Sequence, residues 1–104
     1  MTIKDIVVLD DAARDMVEGK DFYDTQEVGV GNYFWDSLLS DIETLMIYAG
    51  VHERHFELFR LLSKRFPFAI YYEVSGDVAF VTAILPMRQS PLKTRSKLQG
   101  RSAS

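Results

Sequence analysis

Phe66-Pro67-Phe68-Ala69-Ile70-Tyr71-Tyr72-Glu73-Val74-Ser75-Gly76-Asp77-Val78-Ala79-Phe80-Val81-Thr82-Ala83-Ile84-Leu85 is the stretch that decides the fold. Phe66, Phe68, Ile70, Tyr72 and Val74 alternate with Pro67, Ala69, Tyr71 and Glu73, a period of two that sends successive side chains to opposite faces of a strand. Ser75-Gly76-Asp77 is a tight turn in which glycine supplies any positive φ. Val78 to Leu85 is nearly all apolar or threonine, as a central strand requires. Pro67 belongs near the start of its strand, where a missing N–H does least harm.

Working toward the N-terminus, Phe56, Leu58, Arg60 and Leu62 alternate with Glu57, Phe59, Leu61 and Ser63. Residues 56–85 therefore read as a three-stranded antiparallel meander. Upstream the period becomes helical. Phe34, Leu38, Ile42, Leu45, Met46 and Ala49 mark one face, with Trp35 and Leu39 widening it, and Gly50 is the stop. Ala13, Met16, Val17 and Tyr23 mark a first helix over 11–26, in which Gly19 costs roughly 1 kcal/mol relative to alanine. Asp10 or Asp11 is expected to cap that helix, and Asn32 the second. Gly29-Val30-Gly31 breaks the chain between them, so the helices form an antiparallel hairpin. Ile3 to Leu9 is β-branched and short, a strand. The fold class is α+β: an N-terminal strand and a helical hairpin packed on a twisted antiparallel sheet. Residues 1–92 form the domain, and 93–104 are expected to be a basic, flexible tail.

A chain of 104 residues has room for one domain, and 47% hydrophobic residues suffice for a core. The absence of cysteine excludes disulfides, thiolate zinc sites and cysteine nucleophiles. No spanning segment or signal-peptide layout is present, so a cytoplasmic protein without membrane contact is expected. The net charge of −3 conceals a division: residues 1–59 carry 4 Lys/Arg against 13 Asp/Glu, and residues 60–104 carry 8 against 2. The basic half suits a polyanionic or acidic partner, although acidic helix faces alone also produce such a split.

Two sets of side chains bear on chemistry. Arg60, Lys64, Arg65 and Arg88 lie on or beside adjacent strands and form either a cationic patch or ordinary solubility charge. Arg60 shares a side of its strand with Phe56, Leu58 and Leu62, so a bulge re-aims it or its stem is buried with the head in water. His52 and His55 have a metal-like spacing near Glu53 and Glu57, but no further ligand accompanies them; they are read as surface residues or weak acid–base groups, with no metal or cofactor expected. Trp35, Tyr71 and Tyr72 are either a stacking platform or, for Trp35 and Tyr72, core or partner-facing residues.

Several stretches resemble the RelE/ParE superfamily of toxins, in its ParE-like, plasmid-stabilisation branch. They are Ala12-Ala13-Arg14-Asp15 through Phe22-Tyr23, Gly29-Val30-Gly31-Asn32-Tyr33-Phe34, Leu38 to Leu45, Leu61-Leu62-Ser63-Lys64-Arg65-Phe66-Pro67-Phe68-Ala69-Ile70-Tyr71-Tyr72-Glu73-Val74, and Ala83 to Pro91 with Arg88. The resemblance covers roughly residues 3–91. It implies a helical hairpin against a twisted antiparallel sheet. It also implies an antitoxin partner that wraps the toxin, in a toxin–antitoxin hetero-oligomer, with a homodimer as the other assembly. Two activities go with it: inhibition of DNA gyrase and cleavage of mRNA in the ribosome. In RNA-cleaving members, cationic side chains and a late tyrosine or histidine do the work. Here Ala69 stands at the position of a strand arginine, Pro86 at that of a histidine, and the tail from Gln89 has no Tyr or His. The resemblance thus favours gyrase-type growth inhibition, which in this family depends on the extended C-terminal region. An endonuclease using Arg60, Lys64, Arg65 and Arg88 is the alternative, as is a non-toxic member that only binds its antitoxin. Arg60, Arg65, Tyr72, Arg88 and Trp35 are the candidate target- or antitoxin-binding residues.

Overall fold

Gly76 has φ +62° and begins the two-residue turn that joins strand β4 (Phe68–Ser75) to β5 (Val78–Pro86), with Ser75 paired to Val78. The computed structural model describes residues 2–101. Before β4 come β3 (Leu58–Leu62), the two-residue β2 (Arg54–His55), helices α3 (Leu45–Tyr48), α2 (Val30–Glu43) and α1 (Asp10–Gln26), and strand β1 (Asp5–Val8). After β5 comes α4 (Pro91–Leu98). The sheet order is β1-β5-β4-β3-β2, with β2 to β5 antiparallel and β1 parallel to β5. The expected α+β layout is present, with one parallel pair at the β1 edge. No helix among the described residues is long and apolar enough to cross a membrane.

The helical hairpin covers one face of the sheet. Phe34, Leu38, Ile42 and Leu45 of the second helical arm and Ala12 and Met16 of α1 meet Phe68, Ile70, Tyr72, Ala79, Val81 and Ile84 in one buried cluster. Gly19 explains itself here. A Cβ on Gly19 would sit 2.5 Å from the Phe34 ring, so glycine in α1 lets that ring lie against the helix backbone. Phe34 in turn packs 4.9 Å from Phe68 and 5.2 Å from both Tyr23 and Phe66.

The other face carries a smaller cluster of Leu58, Ala69, Tyr71, Ala83, Leu85 and, from α4, Leu98. A register shift lies between Tyr71, which pairs with Ala83, and Tyr72, which pairs with Val81. The extra residue, Thr82, reverses the alternation of β5, so Val81 and Ile84 both face the hairpin while Ala83 and Leu85 face α4.

Among the described residues, no strand lies beside the outer edge of β5 beyond Val81. Asp15 of α1 fills the gap: its carboxylate accepts the Ile84 N–H at 2.9 Å. Arg101 closes the site from the far end of the chain. It donates to Asp15 at 2.6 and 3.2 Å and to the Thr82 carbonyl at 3.5 Å. A strand edge that would otherwise invite pairing is thereby capped by side chains.

Several local expectations need correcting. Phe56 and Glu57 are not strand residues. Both have positive φ, 56° and 67°, and form the two-residue turn between β2 and β3. Such turns favour Asn-Gly, so a Phe-Glu pair carries no turn signal, and its backbone is strained. The second helix does not run unbroken to Ala49. Thr44 turns its hydroxyl back onto the Asp41 carbonyl at 2.6 Å, and the helix divides there into α2 and α3. Neither Asp10 nor Asn32 is a cap. Leu9 and Gly29 hold the N-cap positions, Asp10 and Asp11 lie in the first turn of α1, and the Gly31 N–H is capped by Asp24 from the neighbouring helix at 2.9 Å. Residues 91–98 form α4, and Arg101 is bonded to Asp15; residues 102–104, the end of the expected basic tail, lie outside the described residues.

Candidate functional site

Three of the four candidate cations, Lys64, Arg65 and Arg88, lie at one end of the sheet, whereas Arg60 sits in the middle of β3. Lys64 and Arg65 are exposed on the loop between β3 and β4. That loop is tied to α2 by buried Asp41, which accepts from Ser63 Oγ at 2.6 Å and from the Lys64 N–H at 3.3 Å. The Met87 N–H donates to the Pro67 carbonyl at 2.8 Å, and this bond brings the end of β5, and with it Arg88, to the same loop. Arg88 then turns toward α1, its guanidinium 5.5 Å from the centre of the Phe22 ring.

Arg60 faces the opposite way. It pairs with Tyr71 across β3 and β4, on the side covered by α4. Burial pushes the Tyr71 hydroxyl above its ordinary value, and the Arg60 guanidinium beside it pulls the other way. No bulge re-aims Arg60; it is half-buried, its stem against this second face. Arg95 of α4 lies 5.1 Å from the Phe56 ring centre, and Phe56 meets Tyr71 edge-on at 6.2 Å. Arg60, Tyr71, Phe56 and Arg95 thus form a mixed cationic and aromatic group beneath and beside α4. Tyr71 itself is only 4% exposed. Ala69 also faces this side, and Pro86 ends β5.

Tyr72 has no surface to offer a partner. It is fully buried on the hairpin face, where its ring stacks on Phe59. Its hydroxyl accepts the Gly50 N–H at 2.8 Å and lies 2.5 Å from His52 Nδ1, which accepts a hydrogen bond from the hydroxyl when His52 is neutral with its proton on Nε2. Burial holds His52 below the usual histidine value, in keeping with that neutral form. His55 turns instead to Glu53, 3.3 Å away. Among the described residues, no three or more His, Asp or Glu side chains come together as a metal site. Trp35 is half-buried and packs against the large core.

The positions that sequence reasoning missed are Phe56, Arg95, Asp15 and Arg101. A signal for α4 was present: Ser90-Pro91 is a helix start, with Ser90 Oγ accepting the Lys93 N–H at 3.2 Å and proline in the first turn. Nothing local could pair Asp15 with a residue 86 positions away.

Where α1, the end of β5 and α4 meet there is a cavity of about 220 Å³. Phe22, Phe68, Ile84 and Pro86 wall it, and Glu18, Arg88 and Lys97 bring charge to it. A shallower depression lies at the outer edge of β3, among His52, Glu53, Arg60, Leu61 and Leu62.

No family model matches this sequence, and no curated protein sequence matches it. Among solved structures the chain is similar to a chain of the chromosomal ParDE TA system from P. aeruginosa, with a TM-score of 0.74 and 15% identity over 83% of this chain and 98% of that one. At that identity the likeness is one of fold alone: an α+β chain with a helical hairpin on a mostly antiparallel sheet.

Proposed function

We propose that this chain is the toxin of a type II toxin–antitoxin pair, acting in the cytoplasm and held inactive by a cognate antitoxin. The observation that carries the reading is the likeness in fold to a ParDE chain nearly all of whose length is matched. The sequence resemblance to ParE-like toxins, made on residues 3–91, points the same way independently.

Within that reading, inhibition of DNA gyrase is favoured over RNA cleavage. Cleavage of RNA through the 2′-hydroxyl needs a base, an acid and cations converging on one phosphate. Arg60 and Arg88 point to different sides of the sheet, Ala69 and Pro86 supply no working group, and Tyr71 is covered. An inhibitor that works by binding a protein target needs no such convergence. Arg65 and Lys64 on their exposed loop and Arg88 at the end of β5 are its contact residues, with Arg60 available to the antitoxin or the target.

The test is a supercoiling assay with the purified chain, alongside transcript analysis of cells in which it is induced. Loss of gyrase supercoiling with intact transcripts supports this reading. Cleaved transcripts with unimpaired gyrase would assign the chain to the endonuclease class, and the Arg60–Tyr71–Arg95 group is then where to look. Co-purification of an antitoxin with neither effect would leave a member that only binds its partner.

A further inference from the structure

The cavity between α1, the end of β5 and α4 has no role in the proposed toxin activity, although Arg88, which lines it, does. Its walls are apolar, and Tyr23 and Leu85 complete them beside Phe22, Phe68, Ile84 and Pro86. An apolar cavity of about 150 Å³ accepts a benzene-sized molecule. One of about 220 Å³ therefore holds a ring with a short chain attached.

Charge at the cavity is specific. Four ionic side chains line it: Asp15, Glu18, Arg88 and Lys97. Asp15 is already matched by Arg101 at 2.6 Å and drops out of the balance. Among the described residues, neither Arg88 nor Lys97 forms an ion pair. Two cations against Glu18 leave one positive charge in excess, beside largely apolar walls that strengthen an ionic contact made there. Arg88 is fixed against Phe22, which presents a planar fork of donors suited to a carboxylate.

We propose that this cavity is a binding site for a monoanionic carboxylate on an apolar, preferably aromatic, body: a free arylalkanoic acid or the C-terminal residue of a peptide. The ring sits among Phe22, Phe68 and Ile84, and the carboxylate meets Arg88 and Lys97. A phosphate monoester suits it less well, because its second negative charge exceeds the single positive charge in excess at the cavity and faces Glu18. The inference does not rest on the toxin reading, since binding is measured without antitoxin or target.

The experiment titrates the full chain with 3-phenylpropionate, 3-phenylpropanamide, phenyl phosphate, and an acetylated tetrapeptide ending in phenylalanine as free acid and as amide. Amide chemical shifts and calorimetry are the readouts. The expected result is that acids bind at least about tenfold more tightly than their amides, with shifts at Gly19, Phe22 and Ile84. R88Q should erase that preference while leaving the rest of the spectrum in place, and K97Q should reduce it. Tighter binding of the free acid than of the peptide assigns the site to small carboxylates; the reverse order assigns it to a chain terminus. Equal binding of acid and amide, tighter binding of phenyl phosphate, or an acid preference that survives in R88Q would each overturn the proposal.

Discussion

On the hairpin face of the sheet, Phe34, Leu38, Leu45, Ile70 and Tyr72 are fully enclosed by helices on one side and strands on the other. On the opposite face, Leu58, Ala69, Tyr71, Ala83 and Leu85 are covered chiefly by one eight-residue helix, α4, through Leu98. The first face is built from long-range apolar packing and fixes the fold. The second is a small cluster beneath a basic helix, with Arg60 and Arg95 beside it. Most of the buried packing is on the first face; a mixed cationic and aromatic group lies on the second, while Lys64, Arg65 and Arg88 lie at the end of the sheet on the hairpin side.

If that division holds, truncating the two faces should have unequal consequences. Phe34→Ala removes a ring with no exposed surface from an aromatic cluster and should cost about 3–5 kcal/mol in urea unfolding. Leu98→Ala, at a site 9% exposed where α4 can resettle, should cost about 2 kcal/mol. Equal losses would mean that α4 is as much a part of the core as the hairpin.

The second face is also fastened from its edge. Arg101→Ala leaves the Asp15 carboxylate, 5% exposed, without its countercharge. A loss of about 2–3 kcal/mol is expected, short of the value for a fully dry pair because Arg101 keeps 16% of its side chain exposed. D15N in the R101A background should recover part of it. A neutral R101A would show that the Ile84 N–H alone satisfies Asp15.

How much of this was legible in the sequence follows the same division. The hairpin face could be read because helix and strand periodicities there are regular: Phe34, Leu38, Ile42 and Leu45 every three or four residues, Phe68, Ile70 and Tyr72 every two. The second face could not. Phe56-Glu57 makes a turn without turn residues, Thr82 reverses the alternation of β5 without any local mark, and Arg101 finds Asp15 only after the chain has folded. The candidate residues divided likewise. Arg60, Arg65 and Arg88 are candidates from charge and resemblance, whereas the burial of Tyr72 depended on which face its strand turned to the helices.

The Phe56-Glu57 turn offers a change in the other direction. Glu57 holds φ 67° with an exposed side chain, and glycine adopts that backbone freely. Glu57→Gly should stabilise the protein by about 0.5–1 kcal/mol in the same urea assay, and destabilisation would show that the Glu57 side chain matters more than its backbone.

The smallest expected effect concerns the hairpin face. Burial lowers the His52 value, so the unfolded chain takes up this proton more readily than the folded one. The contribution of His52 is present above about pH 6.5 and is lost as pH falls through its folded value. The urea midpoint should therefore fall between pH 7.5 and 5.5, and fall less in His52→Gln; identical slopes would remove His52 from the account.

The central claim is that the chain is a toxin neutralised by a partner, and its most direct measurement is growth. The chain is induced alone in growing bacteria, and then together with the short reading frame adjacent to its gene. Arrest within a few generations when it is alone, relieved by co-expression and accompanied by a complex that co-purifies, is the predicted result. Unchanged growth at high levels of soluble, folded chain would contradict it.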